Sequence, residues 1–272
     1  MLFLEHLKKH NRTSGRGDRL GYSFMVVSYL INYLRKRPPL LRWVGRDLYR
    51  GRKKLLYTVL TGGYDQLNEI PEKLADSERW DFICITDNPQ LSSETWKIRV
   101  VDNEQGLDPV RLSRLYKINN HLVDSSHDLS IYMDANIRIR GDLDLFLSQA
   151  LPPDESLGML YHPFHSSLEQ EVELCMRTVR DDPKLLEKQF LNYTENEKFS
   201  DPYPHINARL IVRRQGDPRV QALMETWFNQ LTLWSCRDQV SFNFSLSQHP
   251  EIAPRYISYW LFRTHFKKLD HL

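Results

Sequence analysis

The chain has few cysteines, and none of them form a closely spaced pair. Its 272 residues include only Cys84, Cys175 and Cys236, which lie far apart in the sequence. An odd number of widely separated cysteines argues against a disulfide scaffold and against a zinc ribbon. We therefore expect a protein of a reducing compartment such as the cytoplasm.

Long apolar segments are also missing. The longest largely apolar stretch, Gly21–Leu34, spans 14 residues, whereas a membrane-spanning helix needs roughly 20. The first residues do not combine a basic segment with a following apolar one, as a secretory signal would. The sequence therefore predicts neither a transmembrane helix nor a secretory signal.

Several widespread catalytic motifs are absent. The chain contains no Walker loop, no Gly-x-Gly-x-x-Gly fingerprint and no His-Glu-x-x-His pair. These absences argue against a P-loop enzyme, a Rossmann-type dehydrogenase and a zinc hydrolase. No nucleic-acid-binding module is recognisable either, so we expect no nucleic-acid partner.

The positive charge that is present is concentrated near the N-terminus. Residues 1–54 hold 14 lysines and arginines against three acidic residues, and the remainder holds 23 against 32. This asymmetry indicates a basic arm over residues 1–54, with a short apolar helix at Tyr22–Leu34, and a separate domain over residues 55–272. The helix and its basic flanks suit an anionic membrane surface, and packing on the main domain is the alternative.

Strand and helix patterns alternate along the second part of the chain. Strands are predicted at Leu55–Leu60, Trp80–Thr86, Trp96–Val101, Leu129–Met133, Leu157–Tyr161 and Ile206–Arg213. Helices are predicted at Val110–Val123, Leu143–Gln149, Leu168–Tyr193 with a break near Pro183, Arg219–Leu233 and Gln239–Leu246. This order predicts an α/β fold with a largely parallel sheet, in which ligands bind at the carboxyl ends of the strands.

Polar residues follow three of these predicted strands. Asp134 and Asn136 offer oxygen ligands that suit Mg²⁺ or Mn²⁺, although Asp-x-Asn is also common in turns that bond their own backbone. Thr61-Gly62-Gly63-Tyr64-Asp65 lets the backbone approach a ligand closely, with Tyr64 placed to stack on a base, and a tight turn is the alternative. The turn at Asp87 follows the second strand.

Other candidate residues lie on helices and at a strand mouth. Arg114 and Lys117 share one side of a helix and suit phosphate binding, although such a face is more often solvated. Asn207 begins a strand, and Asp238 precedes a helix that it could equally cap. Histidines are scattered: His162 and His165 follow a strand and could face the site, and a lone histidine is usually structural.

Taken in order, these segments resemble a GT-A glycosyltransferase. Asp134-Ala135-Asn136 is similar to the metal-binding Asp-x-Asp of that fold, with asparagine in place of the second acid. Arg114 stands where the family of glycogenin and bacterial galactosyltransferases keeps an arginine on the donor. Ile206-Asn207-Ala208 resembles that family's Phe-Asn-Ala/Ser-Gly strand, and Asp238-Gln239-x-x-x-Asn243 has the spacing of its Asp-Gln-x-x-x-Asn signature.

A second family is closer still. Tyr57-Thr58 through Tyr64-Asp65, the Thr86-Asp87-Asn88 turn and Arg237-Asp238-Gln239-x-Ser241-Phe242 resemble a glycosyltransferase-like family that was long described as a domain of unknown function. It contains plant pectin- and mucilage-related proteins and many bacterial ones. The resemblance covers about Leu55 to Leu246 and implies a GT-A-type, Rossmann-like α/β fold.

The resemblance implies a metal-dependent transferase that uses a nucleotide-diphosphate sugar. Its implied metal ligands for Mn²⁺ or Mg²⁺ are Asp134, Asn136 and His265. Its implied donor-binding residues are Thr61, Gly62, Tyr64, Asp65, Asp87, Arg114, Lys117, Asn207 and Arg237. Asp238 and Gln239 would be catalytic: Asp238 would be the base if the enzyme inverts, and either residue would face the anomeric carbon if it retains. The acceptor would be a glycan or another hydroxyl, in surface or extracellular polysaccharide synthesis at the cytoplasmic face of the membrane.

Two other functions stay open at this point. A nucleotidyltransferase could use a similar sheet, but it usually has an early Gly-rich loop with Arg or Lys that the chain lacks. A non-catalytic scaffold that binds membranes or a polyanion through the basic arm is the other, because Asn136 weakens the charge of the metal site.

Overall fold

The computed structural model describes residues 47–75 and 78–270. The predicted helix at Tyr22–Leu34, like nearly all of the basic arm, lies outside these residues. The compact unit that holds the predicted sheet begins at Tyr49, whose buried ring donates a hydroxyl hydrogen bond to the Leu151 carbonyl. Within the described ranges, no helix combines the length and apolar character needed to cross a bilayer.

Nine strands are described. They are β1 (Lys54–Leu60), β2 (Asp81–Thr86), β3 (Lys97–Val100), β4 (Leu129–Met133), β5 (Ile137–Ile139), β6 (Leu157–Tyr161), β7 (Ile206–Arg214), β8 (Arg255–Ile257) and β9 (Phe266–Lys268). Seven of them form one sheet in the order β3-β2-β1-β4-β7-β6-β8, and β5 pairs with β9 in a separate two-stranded ladder. All six strands that the sequence predicts are present in the large sheet.

The helices of the described chain connect these strands. They are α1 (Glu72–Ala75), α2 (Pro109–Ile118), α3 (Leu143–Ala150), α4 (Leu168–Arg177), α5 (Pro183–Leu191), α6 (Pro218–Leu233), α7 (Asp238–Ser247) and α8 (Tyr259–His265). The predicted break near Pro183 separates α4 from α5. The helix predicted to reach Val123 instead ends at Ile118, because Asn119 leaves the helical region and a short 3₁₀ turn follows.

One reversed strand explains where the polar residues meet. Strands β1 to β4 and β6 run in one direction, and β7 is antiparallel to both of its neighbours, β4 and β6. The carboxyl ends of β1, β2, β4 and β6 therefore lie at the same edge as the amino end of β7. We call this the carboxyl edge of the sheet, and the opposite side the amino edge.

The alternating side chains of the sheet feed two hydrophobic cores. Along β1, Leu56 and Leu60 pack in one core with α3 and α8, whereas Leu55, Tyr57 and Val59 pack in the other with α2, α6 and α7. This period of two follows from strand geometry. The predicted α/β fold with a mostly parallel sheet flanked by helices is therefore confirmed.

Candidate active site

Asp134 lies directly after β4 at the carboxyl edge. Its backbone N–H donates to the Arg209 carbonyl at 2.9 Å, which fixes the turn to β7. One carboxylate oxygen accepts a hydrogen bond from the Tyr132 hydroxyl at 2.7 Å and lies 3.4 Å from Lys117 Nζ. The side chain is 35% exposed, so one oxygen of this carboxylate is held by Tyr132 and Lys117 while the group stays partly accessible to solvent.

A buried ion pair lies behind Asp134. Lys117 Nζ is 2.7 Å from Asp238 Oδ2, and Arg114 Nε is 3.2 Å from the same oxygen. Helix α2 carries the two cations three residues apart, and α7 begins with Asp238. Two distant segments of the chain therefore meet at one carboxylate.

Arg237 adds a third cation to this group. Its charge acts on Asp238, Arg114 and Glu171. Fixed positive charges clustered at one edge of a sheet attract an anion. A diphosphate is an anion of suitable charge for this edge.

Asp238 is held in its ionised form. Burial alone would raise the pKa of this carboxyl, but Arg114, Lys117 and Arg237 together hold it well below its usual range. Its second oxygen accepts a hydrogen bond from the Gln239 N–H at 3.0 Å within the first turn of α7. Asp238 is thus the first residue of the helix and a partner of cations, while Arg237 occupies the N-cap position.

A second network of hydrogen bonds holds the backbone of Lys117 in place. The Lys117 carbonyl accepts hydrogen bonds from the Tyr57 hydroxyl and from Arg213 Nη2, both at 2.8 Å. Arg213 Nη1 also donates to Tyr57 at 2.7 Å, and both side chains are fully buried. The guanidinium of Arg213 thus lies at the last turn of α2, where the negative end of the helix dipole stabilises a cation.

The loop after β1 is shaped by two contacts. Both oxygens of Asp87 lie within hydrogen-bond distance of the Gly62 N–H, at 3.0 and 3.1 Å, and Thr61 donates to the Pro109 carbonyl at 2.7 Å. Gly62 has a φ of +68°, and a Cβ there would lie 2.7 Å from Pro109 Cβ. Glycine is therefore required by both backbone conformation and space. Asp87 positions this loop through a backbone group.

The predicted nucleoside contacts lie on the same loop. The Tyr64 side chain is 73% exposed. Asp65 accepts the N–H of the next residue through one oxygen. The loop also touches the turn after β4, because Asn68 Nδ2 donates to the Ala135 carbonyl at 2.8 Å. The loop after β1 and the Asp134 turn are therefore neighbours.

Asn207 and Arg209 lie at the start of β7. Asn207 is buried, and its oxygen accepts hydrogen bonds from the N–H and the Nε of Arg209, the latter at 2.7 Å. Asn207 therefore fixes the guanidinium of Arg209 at the carboxyl edge. Gln239, the other predicted catalytic residue, is partly exposed on the first turn of α7.

The three residues expected to hold a metal do not all meet. Asn136 follows Asp134 by two residues and is buried, with Nδ2 donating to the Leu269 carbonyl at 3.2 Å. His265 lies at the other end of the β5–β9 ladder: its carbonyl accepts from Arg140, and its ring packs against Phe146. Arg140, which pairs with His265, is four residues after Asn136 along the strand, and that separation is about 13 Å. Asp134 and Asn136 thus lie in the same turn at the carboxyl edge, and the ladder places the backbone of His265 away from them.

Some residues of the site have no counterpart among the predicted ones. Tyr132 holds Asp134, and strand alternation could have indicated it, because residues two apart share a face. Tyr57 belongs to a segment that carries the family resemblance, but its role and that of Arg213 gave no signal, since their partner is a backbone carbonyl of a distant helix.

Comparison with known protein families decides the assignment. A family model described as the TOD1/MUCI70 glycosyltransferase-like domain matches residues 84–265. The chain belongs to this family. The matched range includes α2, the Asp134 turn, β7 and α7, and it begins within β2. A search of the curated proteins finds no match. The resemblance to a glycosyltransferase-like family is therefore confirmed, and the family supports a general glycosyltransferase role for the domain.

Proposed function

We propose that this domain is a metal-dependent glycosyltransferase that moves a sugar from a nucleotide-diphosphate donor to a hydroxyl acceptor such as a glycan. The observation that carries the proposal is the group of Arg114, Lys117 and Arg237 around the carboxylates of Asp134 and Asp238. It lies at the edge where open α/β sheets bind ligands.

The buried cations would act on the leaving group. As the bond between the sugar and the diphosphate breaks, negative charge grows on the departing nucleoside diphosphate. Lys117 is held by Asp238 on one side and by its own backbone carbonyl network on the other. A cation fixed in advance in a water-poor site stabilises such charge without reorganisation.

Asp134 would hold a Mn²⁺ or Mg²⁺ ion together with the donor diphosphate. One carboxylate plus phosphate oxygens is a common donor set for Mg²⁺, and the partly exposed carboxylate of Asp134 fits that set. The amide oxygen of Asn136 would be the second protein ligand. When bound, the ion would supply Lewis-acid assistance to departure of the diphosphate.

The loop after β1 would hold the nucleoside. The exposed ring of Tyr64 offers a surface for base stacking, and Asp65 offers a carboxylate to the base or ribose. Asp87 would act by fixing the glycine turn at Gly62. Asn207 and Gln239 would orient the donor sugar from the other side of the Asp134 turn.

We place the reaction in surface or extracellular polysaccharide synthesis on the cytoplasmic side of a membrane. The basic composition of residues 1–54 supports contact with an anionic membrane surface.

The test is thermal stabilisation of the whole chain by each common nucleoside diphosphate, with Mn²⁺ and with EDTA. Ligand at 100 times its dissociation constant should add about 2.7 kcal/mol of stability. We expect a Mn²⁺-dependent rise in melting temperature with one nucleotide, and its loss in Asp134→Asn. Asp81→Asn is the matched control, because Asp81 lies at the amino edge.

Other results would favour the alternatives. The absence of a shift with every nucleoside diphosphate would contradict the proposal and favour a non-catalytic scaffold. Release of pyrophosphate, in place of nucleoside diphosphate, during turnover would identify a nucleotidyltransferase.

A further inference from the structure

A cluster of histidines and one glutamate lies at the carboxyl edge, beside the site described above. His162 follows β6 and donates its N–H to the carbonyl of His205, which directly precedes β7. His165 stacks on His162 with ring centroids 4.3 Å apart, and Glu171 of α4 reaches both His165 and His205. Strands β4 and β6 flank β7, so the cluster is about 10 Å from the Asp134 turn across the sheet.

Glu171 and His165 form an oriented pair. Their side chains meet at 2.6 Å between Glu171 Oε2 and His165 Nδ1, and Glu171 is buried. Burial would raise the pKa of Glu171, but the neighbouring His205 and His165 lower it to about 2, so the carboxylate is ionised. An ionised carboxylate only accepts hydrogen bonds, so the shared proton is on Nδ1 of His165.

Because Nδ1 is committed to Glu171, Nε2 is the ring nitrogen of His165 that remains for an acceptor hydroxyl. Among the residues that the structure describes, no hydrogen bond to this nitrogen is formed, and the side chain is 17% exposed. A carboxylate that fixes the tautomer of a histidine whose second nitrogen is open is the arrangement of a general base.

His162 cannot readily share a metal ion with this pair. Its Nδ1 accepts the backbone N–H groups of His165 at 2.7 Å and of Phe164 at 3.3 Å, so that nitrogen carries no proton. A histidine that binds a metal through one nitrogen normally donates a proton from the other. Although His162, His165 and Glu171 lie close enough to surround an ion, the backbone favours a neutral His162 that donates from Nε2.

An inverting reaction would need another proton acceptor at this site, because Asp238 is poorly suited to that role. Its carboxylate is buried between Arg114 and Lys117, with distances of 3.2 and 2.7 Å. A carboxylate whose charge is stabilised this strongly is a weak base toward a sugar hydroxyl. Asp238 instead orients the two cations.

We infer that His165, positioned by Glu171, is the general base that removes the proton from the acceptor hydroxyl. The inference rests on the proposed function. Arg237 links the His165–Glu171 pair to the ion pair at Asp238, because the charge of its guanidinium acts on both Glu171 and Asp238. The donor would thus bind over β1 and β4, and the acceptor would approach over β6.

The step is a single displacement. The acceptor oxygen forms a bond to the anomeric carbon as the bond from that carbon to the diphosphate oxygen breaks. The hydroxyl proton moves to Nε2 of His165, Glu171 stabilises the imidazolium, and the electron pair leaves with the nucleoside diphosphate. The imidazolium then returns the proton to water, and the configuration of the anomeric carbon is inverted.

An aromatic ring beside His165 suits a saccharide acceptor. Phe164 is 82% exposed and is adjacent to His165 in the sequence. A flat ring next to the base would stack on the apolar face of a sugar. Phe164→Ala should therefore raise the KM for a saccharide acceptor and leave the nucleotide-dependent melting shift unchanged.

The experiment compares His165→Ala with the native chain and with His127→Ala. The control is matched, because His127 also contacts a carboxylate, Asp81, at 2.6 Å, but does so at the amino edge. The reaction measured is release of nucleoside diphosphate from UDP-glucose, UDP-galactose, UDP-N-acetylglucosamine and GDP-mannose, with mixed oligosaccharides as acceptors. We expect His165→Ala to lower the rate about 100-fold or more and His127→Ala to leave it unchanged.

Added imidazole separates a catalytic from a structural role. Free imidazole should restore part of the activity of His165→Ala, and it should not restore that of Glu171→Gln, in which the native histidine still occupies the site. The glycoside product should have the inverted configuration by NMR. A native rate in His165→Ala, a loss that imidazole does not restore, or a retained configuration would each overturn the inference.

The two proposals fail in different ways. If no nucleoside diphosphate shifts the melting temperature, the proposed function fails. If the nucleotide binds and His165→Ala turns over at the native rate, only the assignment of the base fails. The purified protein could also hold one equivalent of tightly bound zinc. If that zinc is lost in both His162→Asn and His165→Asn, the assignment of the base is overturned, because the metal would occupy Nε2 of His165.

Discussion

The two edges of the sheet each contain a buried lysine–aspartate pair, and the pairs differ in what surrounds them. At the amino edge, Lys54 lies 2.6 Å from Asp144, and at the carboxyl edge, Lys117 lies 2.7 Å from Asp238. All four side chains are nearly inaccessible to solvent. Distance and burial alone would give the two pairs the same role.

The partners of each pair show the difference. Asp144 also accepts hydrogen bonds from Arg79 and from Trp80 Nε1, both at 3.0 Å, so both of its oxygens are satisfied within the domain. Lys117 is instead shared between Asp238 and the partly exposed Asp134. A buried ion pair whose charges and hydrogen bonds are satisfied within the domain serves the fold. An ion pair that is shared with a partly exposed carboxylate can respond to a ligand.

Removal of Asp144 should have the largest effect on stability. Asp144→Ala leaves Lys54 buried without its counter-charge, so the free energy of unfolding should fall by about 3–5 kcal/mol. Urea denaturation of this variant and of Asp81→Asn, an exposed carboxylate at the same edge, measures the effect. A loss below 1 kcal/mol would remove the structural role that the comparison assigns to the amino-edge pair.

Removal of Lys117 should affect turnover most. Lys117→Met leaves Asp238 paired with Arg114, but it removes the positive charge that would stabilise the leaving group. The rate of nucleoside diphosphate release should therefore fall about 100- to 1,000-fold. Stopped assays at saturating donor give this ratio. If the rate stays within a factor of three of the native one, the two pairs do not differ as described.

Acid should weaken the carboxyl edge through His162. Burial, with His165 and His205 nearby, lowers the pKa of His162 to about 3, so the unfolded chain binds a proton that the folded chain does not. This contribution is present above the ordinary histidine pKa and is lost as pH falls toward 3. Between pH 8 and pH 5 the loss should be about 2 kcal/mol.

Urea denaturation across that pH range checks the effect. His162→Asn keeps an oxygen to accept the backbone N–H groups but cannot be protonated there, so its stability should fall less with acid. Equal slopes for the two proteins would show that His162 is not responsible. The lowered pKa of Glu171 has the same sign, and its contribution is lost only between about 4.5 and about 2.

The glycine loop should show a difference between two neighbouring positions. Gly62 and Gly63 both have positive φ angles, but only the Cβ of an alanine at position 62 would meet Pro109. Gly63→Ala should cost about 1 kcal/mol, and Gly62→Ala about 1–3 kcal/mol more, together with a loss of nucleotide affinity. Equal costs in thermal denaturation would show that the loop adjusts freely.

The long elements of the fold were accessible from sequence, whereas the short ones were not. Runs such as Leu55–Leu60 and Leu129–Met133 are apolar enough to predict buried strands. The three-residue strands β5, β8 and β9 are too short to show a period. The family resemblance implies His265 as a metal ligand, and only the β5–β9 pairing shows that His265 lies at the far end of the ladder from Asn136.

The site was predictable in its charged residues and less so in their partners. The spacing of Arg114 and Lys117 indicated a common helix face, and both meet Asp238 in the structure. Glu171 and His205 gave no signal, because only the packing of α4 against the ends of β6 and β7 brings them together. Whether the predicted residues bind a nucleotide sugar stays a prediction.

The most direct test of the account is calorimetric titration in the presence of Mn²⁺. The nucleoside diphosphate that gives the largest melting shift would be titrated into the native protein, Lys117→Met and Lys54→Met. The account predicts native affinity in Lys54→Met. In Lys117→Met it predicts a dissociation constant at least ten times larger, which is a loss of about 1.4 kcal/mol of binding free energy. Equal affinity in the two variants would contradict the claim that only the carboxyl-edge pair serves the ligand.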